Sequence, residues 1–372
     1  MKEISLLFLL IPLFTVAQSP ESVKLYNEAI ELSSAKDYKG AIRLYTESLS
    51  VDPLYPSAYY GRGIAQMSNK SYDKAISDFG KCIKLDPKNS KANYYKGYSE
   101  MKAKKNKDAL VSLSRAIKGD PELTKAYYYR AYIQMVDKNY DKAARDFEEA
   151  IHKGKNDSKA NYNLGICYKK LNQDDKAYNA YSQAIEKNPK YIPALYERAK
   201  ADFGNENYAQ VIKDCTTIVN IESDNTDALN YRAMANLKSD NLEAAQSDYT
   251  ALVTADPKNK KAWVNKGVVS IKSKDYEIAV KDYTALISLD PQNLSYYKNR
   301  AISYIQIEQW DPALADLTLL ITKNPENGDA FYNRSNVNLQ LEKGDQACAD
   351  MRQAAKLGFD KAFEYIPGLC NN

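Results

Sequence analysis

Arginine and aspartate recur 16 residues apart along this chain, and such pairs could act as acid–base couples or hold a charged ligand. The pairs are Arg62 with Asp78, Arg130 with Asp146, Arg198 with Asp214, Arg232 with Asp248, Arg300 with Asp316, and Arg334 with Asp350. A catalytic or ligand site is usually built once, whereas this spacing returns along most of the chain. We therefore expect ion pairs within the fold, which fix geometry more than they add stability.

Other residues that carry chemistry are sparse. His152 is the single histidine, and no cysteine or second histidine stands near it at metal-ligand spacing. No Cys-x-x-Cys motif and no glycine-rich phosphate loop after a strand is present. We therefore expect no enzyme activity, no metal and no cofactor.

The five cysteines fall into two groups. Cys82, Cys167 and Cys215 stand at apolar helix positions, so we expect buried free thiols. Cys348 and Cys370 lie near the end of the chain. In an exported protein they could form a disulfide that pins the tail, and the alternative is two free thiols.

The elements that carry these residues repeat with a period of 34 residues, which is seen best from Pro56 to Asn89. Each unit predicts two amphipathic helices joined by a short polar turn. The units start at Ser22, Pro56, Ser90, Thr124, Ser158, Ile192, Thr226, Lys260, Leu294 and Gly328. Position 8 of every unit is small, position 20 is alanine in nine units, and position 24 is usually large. Small residues at positions 8 and 20 should let the two helices approach closely.

The pattern resembles the tetratricopeptide repeat (TPR) family over residues 22–361, with ten units and no insertion. The resemblance implies an all-α, right-handed superhelical solenoid of helix pairs. Most units have a closing proline at position 32, which ends the second helix, but Lys155, Ser223 and Phe359 stand there in units four, six and ten. Residues 362–372 form a predicted C-terminal capping helix, in which Ala362, Phe363 and Ile366 should cover the last repeat.

In this family the first helices line a concave groove, with positions 2, 5, 9, 12 and 13 facing inward. Those positions hold a ladder of tyrosines and several lysines: Tyr26, Tyr60, Tyr94, Tyr98, Tyr128, Tyr132, Tyr162, Tyr196, Lys91, Lys125 and Lys159. Tyrosine suits adaptable recognition, and lysine favours acidic partners. The alternative is that the rings only pack between repeats. The groove interpretation predicts that Tyr94→Ala with Tyr128→Ala abolishes partner capture without unfolding the array.

The N-terminus differs from the repeats. An apolar run from Ile4 to Val16 follows Lys2, and small residues precede a candidate cleavage point after Ala17. This pattern is typical of a secretory signal peptide over residues 1–17, although an uncleaved anchor is the alternative. The end of the chain from Ala347 resembles that of exported TPR proteins of Bacteroidetes-type bacteria. These features predict a periplasmic, outer-membrane-associated or secreted protein.

Charge is nearly balanced, with 52 basic and 48 acidic residues, so nucleic-acid binding is not expected. We expect a non-catalytic scaffold that binds peptide segments or protein surfaces in the groove, acidic ones among them. Two alternatives are a binder of carbohydrate or envelope polymer, since tyrosines can stack on sugar rings, and a regulatory subunit of an envelope complex.

Overall fold

The computed structural model describes residues 18–370, and the predicted signal segment lies outside them. Every regular element in this part of the chain is an α-helix. The all-α prediction is confirmed. The helices form two compact bodies. The first, which we call the N-terminal body, ends at Pro189, and the second, the C-terminal body, begins at Lys190.

The N-terminal body holds repeats one to five. Its helices are α1 (Pro20–Ser34), α2 (Tyr38–Val51), α3 (Pro56–Ser68), α4 (Tyr72–Leu85), α5 (Ser90–Lys102), α6 (Asn106–Gly119), α7 (Thr124–Val136), α8 (Tyr140–His152), α9 (Ser158–Lys170) and α10 (Asp174–Lys187).

The C-terminal body holds repeats six to ten and the cap. Its helices are α11 (Ile192–Gly204), α12 (Tyr208–Ile221), α13 (Thr226–Lys238), α14 (Leu242–Ala255), α15 (Lys260–Lys272), α16 (Tyr276–Leu289), α17 (Leu294–Gln306), α18 (Trp310–Lys323), α19 (Gly328–Gln340), α20 (Gly344–Lys356) and α21 (Asp360–Leu369). In repeats two to ten the first helix begins at the residue that starts the unit in the sequence pattern, and α1 begins earlier, at Pro20.

The turn between the two helices of a repeat has the same backbone form throughout. Position 15 has a positive φ in all ten repeats, for example 60° at Lys70, although none of these residues is glycine. In repeat two, the Lys70 N–H donates to the Met67 carbonyl and the Ser71 N–H donates to the Gln66 carbonyl. These bonds satisfy the last carbonyls of the helix, which offsets the cost of a left-handed residue.

The repeats that lack the closing proline end in two ways. The second helices of repeats four and ten stop at position 29, and Gly154 (φ 105°) and Gly358 (φ 80°) then turn the chain. Glycine adopts this left-handed conformation without a Cβ clash. Repeat six, with Ser223, instead ends at position 30 with an extended Glu222, as the repeats with proline do.

The core of each repeat is built from the contact between position 8 and position 24. A Cβ placed on Gly63 would lie 2.8 Å from Phe79 Cε1, and one placed on Gly97 would lie 2.7 Å from Leu113 Cγ. The small residue at position 8 therefore makes room for the large side chain at position 24. The alanines at positions 8 and 20 lie in the same core clusters, for example Ala29 with Ala41 and Ala233 with Ala245.

The capping helix α21 covers the last repeat with one of its faces. Ala362 is fully buried, and Phe359 and Ile366 pack against a cluster that includes Met351. Phe363 is 58% exposed and does not cover the repeat, contrary to the sequence-based expectation. The reason is helix geometry, because residues 362 and 366 share a face whereas residue 363 is rotated by about 100° from residue 362.

Cys348 and Cys370 form a disulfide that joins α20 to the end of α21, with a Cα–Cα distance of 5.3 Å.

Among residues 18–370 we find no helix whose length and apolar character would let it cross a bilayer.

Candidate functional site

The candidate binding surface, which we name the first-helix face, consists of positions 2, 5, 9, 12 and 13 of the first helices. In the N-terminal body the position 5 tyrosines do not all project from it. Tyr94 is only 7% exposed and belongs to the core of repeat three. Its ring lies 4.7 Å from that of Tyr95 and 6.2 Å from that of Tyr129. Tyr94 is therefore a packing residue, and its assignment to a ligand groove is corrected.

The other position 5 rings of this body are half-buried. Each packs against the large aromatic residue at position 24 of its own repeat. The centroid distances are 5.8 Å for Tyr26–Tyr45, 6.0 Å for Tyr60–Phe79, 5.6 Å for Tyr128–Phe147 and 6.0 Å for Tyr162–Tyr181. The inner side of each ring thus fills space between the helices of its repeat, which leaves the outer edge for recognition.

The sequence reasoning missed a second set of aromatic residues at position 6. Tyr95 lies 5.9 Å from Tyr60 of the preceding repeat, and Tyr129 lies 4.8 Å from Tyr98 and 5.3 Å from Tyr128. These rings join successive repeats. The sequence signal that could have identified them is the adjacent pairs Tyr94-Tyr95 and Tyr128-Tyr129. Neighbouring residues on a helix point in different directions, so only one tyrosine of each pair can lie at the same place on the helix surface as the other position 5 residues.

The exposed aromatic and aliphatic part of the face lies at positions 9 and 13 of repeat four. Tyr132 is 41% exposed and Val136 is 54% exposed. The half-buried Tyr98 occupies position 9 in the preceding repeat, and Lys102 Nζ lies 5.4 Å from its ring centroid. Repeats three and four therefore present aromatic and aliphatic surface together with a lysine.

Lys91, Lys125 and Lys159 occupy position 2 of three successive repeats, and all are exposed. Among the ion pairs of residues 18–370, none involves these lysines. Their charges are therefore available to a partner.

Burial raises the pKa values of Tyr26, Tyr60 and Tyr94, and desolvation is the main cause. The pKa values of Tyr60 and Tyr94 lie well above 10.0, with neighbouring tyrosines adding to the effect. These phenols stay neutral under ordinary conditions, so they offer hydrogen bonds and apolar area but no negative charge.

The first-helix face of the C-terminal body contains fewer tyrosines at position 5. Tyr196 lies 5.7 Å from Tyr231, and Lys200 Nζ lies 5.3 Å from the Tyr196 centroid. Burial raises the pKa of Tyr196 to about 12. Lys298 pairs with Asp329 at 2.7 Å, so its charge is satisfied within the body.

The recurring Arg–Asp pairs join the two helices in six of the repeats. Arg62 Nε and Nη2 donate to the two carboxylate oxygens of Asp78 at 2.7 and 2.8 Å. The same fork, with bonds of 2.6 to 2.9 Å, joins Arg130 to Asp146, Arg198 to Asp214, Arg232 to Asp248, Arg300 to Asp316, and Arg334 to Asp350. Each carboxylate is thus engaged by an arginine of its own repeat.

Repeats eight and three vary this pairing. Lys266 Nζ lies 2.5 Å from Asp282 Oδ1. Lys96 instead donates to Glu100 at 2.6 Å and to Ser112 at 3.2 Å.

Within residues 18–370, no group of three or more His, Cys, Asp or Glu side chains is placed to hold a metal ion. His152 is exposed at the end of α8. Cys82, Cys167 and Cys215 are free, buried thiols, and burial raises the pKa of Cys82 to about 11 and those of Cys167 and Cys215 to about 12. A thiol that holds its proton this strongly is a poor nucleophile.

Several solved structures are similar to parts of this chain. The MamA fragment from Desulfovibrio magneticus RS-1 is 22% identical, covers 47% of this chain and 99% of its own, and has a TM-score of 0.44. YrrB, described as a TPR protein with an unusual peptide-binding site, is 25% identical, covers 48% of this chain and 91% of its own, and has a TM-score of 0.44. A TPR protein from Parabacteroides merdae ATCC 43184 is 18% identical, covers 67% of this chain and 99% of its own, and has a TM-score of 0.41. No curated protein sequence matches the chain.

Models of the tetratricopeptide repeat family match four segments of the chain. The matched residues are 56–89, 94–158, 134–203 and 230–293. The first of these segments is one complete helix pair, and the others lie within the run of helix pairs. The chain belongs to the tetratricopeptide repeat family.

Proposed function

We propose that this protein is a non-catalytic interaction scaffold that binds a segment of a partner protein on the first-helix face of its N-terminal body. Tetratricopeptide proteins are commonly protein-interaction scaffolds, which supports the proposal at the level of the family. The observation that carries it is the exposed apolar and aromatic surface at Tyr132 and Val136, with unpaired lysines beside it.

The charge of the face specifies the partner further. Positions 2, 5, 9, 12 and 13 of repeats one to five contain six lysines and no aspartate or glutamate. The lysines are Lys91, Lys102, Lys125, Lys159, Lys169 and Lys170. A segment with acidic side chains beside an aromatic or aliphatic anchor complements such a surface, and the charges would speed its association.

A protein segment fits this face better than a sugar chain does. Stacking on a sugar ring requires an open aromatic face, but Tyr94 is buried and Tyr98 lies edge-on to Tyr129 with an interplanar angle of 66°. Tyr132 is the most exposed ring of the ladder on repeats three and four. A peptide, by contrast, can use ring edges and phenol hydroxyls as well as lysines.

The proposed location is the cell envelope or the outside of a bacterium. The apolar run from Ile4 to Val16 and the disulfide between Cys348 and Cys370 support it, because disulfides persist in oxidising compartments. Cell fractionation and N-terminal sequencing test this part of the proposal. Mature protein that starts after Ala17 in an exported fraction is expected, and full-length protein in the cytosol would contradict it.

A pull-down from envelope extracts, run beside a glycan array, tests the partner class. Wild-type protein should retain a defined protein, and a Tyr132→Ala, Val136→Ala variant should lose it while its circular dichroism spectrum is unchanged. A matched control, Ile278→Ala, removes an exposed apolar residue of α16 that lies outside the face. Glycan binding without protein capture would overturn the proposal.

A further inference from the structure

A cleft of about 530 Å³ lies between the first two repeats, bounded by α2, the end of α3 and α4. Its lining includes Lys39, Lys74, Lys81, Arg62 and Gln66. The volume falls within the range of small-ligand sites. This cleft is separate from the first-helix face, because α2 and α4 are second helices.

The cleft has an excess of positive charge. Among residues 18–370, no carboxylate forms an ion pair with Lys39, Lys74 or Lys81. The acidic residue of the lining, Asp78, has both oxygens bonded by Arg62. Lys81 Nζ lies 5.2 Å from the Tyr59 ring centroid, and no carboxylate of the described residues neutralises any of the three lysine charges around this concave surface.

Lys39 stands at a position where the fold favours the opposite charge. It is the second residue of α2, where the helix dipole stabilises anions and disfavours cations. Seven of the other repeats carry an acid at this position: Asp73, Asp141, Asp175, Glu243, Glu277, Asp311 and Asp345. The helix dipole disfavours a lysine here, and the lysine adds positive charge to the cleft.

Gln66 supplies a second, uncharged feature. It is 6% exposed, and its Oε1 is buried without a hydrogen-bond partner in the described structure. An unpaired buried acceptor costs free energy, which a ligand that carries a donor would recover. The hydroxyl-bearing Ser71 and Ser77 also line the cleft.

Two corresponding clefts of the described chain lack this charge. Between repeats nine and ten, Gln346 takes the place of Lys74, and the lining contains Arg334 and Asp350, which pair with each other. Between repeats seven and eight the lining includes Glu243 and Asp275 and no lysine or arginine. The repeat architecture therefore does not require lysines around the cleft.

We propose that the cleft between repeats one and two binds an oxyanion that also carries a hydrogen-bond donor, such as a phosphate or a hydroxycarboxylate. The lysines provide the charge complement, and Gln66 accepts the donor. This inference is independent of the proposed partner-binding face.

Isothermal titration calorimetry with inorganic phosphate, and separately with citrate, tests the inference on the full chain. One equivalent of at least one probe should bind at low salt, with affinity falling as salt is added. A double variant, Lys39→Gln with Lys74→Gln, should bind the probe at least about ten-fold more weakly than the wild type, as expected when a charge-assisted hydrogen bond is lost. Binding of phosphate alone assigns phosphate chemistry, binding of citrate alone assigns carboxylate chemistry, and binding of both assigns their shared oxyanion.

Two further variants make the test specific. Lys258→Gln with Lys261→Gln removes the same charge from exposed sites outside the cleft and should leave the affinity within about two-fold. Gln66→Leu leaves the charge unchanged and should weaken binding, because it removes the acceptor. The inference is overturned if neither probe binds, if the control variant weakens binding as much as the cleft variant, or if Gln66→Leu has no effect.

Discussion

Arg62 connects two repeats, because its Nη1 donates to the Thr46 hydroxyl of the preceding repeat at 3.0 Å while Nε and Nη2 hold Asp78. The same bond joins Arg130 to Ser114, Arg232 to Thr216, Arg300 to Thr284, and Arg334 to Thr318, at 3.1 to 3.4 Å. Each arginine thus orders its own helix pair and the neighbouring repeat together. In an array whose stability depends on repeats and their interfaces, one side chain contributes to both.

The first prediction concerns this arginine. Asp78→Ala leaves the guanidinium of Arg62 half-buried and unpaired, so it should cost about 3 kcal/mol. Thr46→Val removes two exposed hydrogen bonds, the one from Arg62 and the one to the Ile42 carbonyl, and should cost about 1 kcal/mol. Urea unfolding measures both. Asp73→Ala is the matched control, because it breaks the exposed pair with Lys105 and should cost less than about 1 kcal/mol. Equal losses for Asp78→Ala and Asp73→Ala would contradict the account.

The second prediction concerns the contact of position 8 with position 24. Gly63→Val would force methyl groups into the Phe79 ring, since a Cβ alone would lie 2.8 Å from it. We expect a loss of about 1 to 3 kcal/mol, measured as a lower urea midpoint. Gly80→Val is a useful comparison, because a Cβ there meets no atom within 4 Å. If Gly63→Val were as stable as the wild type, the close contact between α3 and α4 at Gly63 and Phe79 would be contradicted.

The third prediction concerns the C-terminal disulfide. Reduction, or Cys370→Ser, removes a covalent link across 22 residues and should destabilise the cap by about 3 kcal/mol. Limited proteolysis should then cut near α21 before the repeats are degraded. Non-reducing mass mapping should recover a linked peptide containing Cys348 and Cys370 from native protein. Two free thiols in those peptides would rule the bond out.

The fourth prediction concerns alkaline pH. Burial raises the pKa of Cys215 from 9.0 to about 12, and it raises the pKa values of Tyr249 and Tyr283 from 10.0 to about 12. The folded chain therefore keeps protons that the unfolded chain releases. This contribution to stability is complete below pH 9 and falls as the pH rises towards 12.

Urea midpoints followed by circular dichroism across that range should decline continuously. A midpoint that is constant between pH 9 and pH 11 would contradict the burial of these groups.

The register of the helices could be predicted from the sequence because small, large and proline residues recur at fixed positions. Residues that depend on a neighbouring repeat were harder to assign. Tyr94 is buried because Tyr95 and Tyr129 pack against it, and a pattern read one repeat at a time does not reveal that.

The hydroxyl that accepts a hydrogen bond from Arg62 could have been identified in the sequence. Ser or Thr stands at position 25 of the repeat that precedes every repeat with Arg at position 7. Gly154 and Gly358 could likewise have indicated the altered turns, since each directly precedes the residue that replaces proline.

The central claim is that Tyr132, Val136 and the lysines beside them bind an acidic protein segment. A random peptide library displayed on phage, selected against the wild-type protein, tests it most directly. Enriched peptides should combine acidic residues with an aromatic or aliphatic anchor. By fluorescence anisotropy they should bind Tyr132→Ala, Val136→Ala protein at least about ten-fold more weakly, the loss expected for an interface anchor. Enriched peptides without acidic residues, or equal affinity for the variant and the wild type, would contradict the claim.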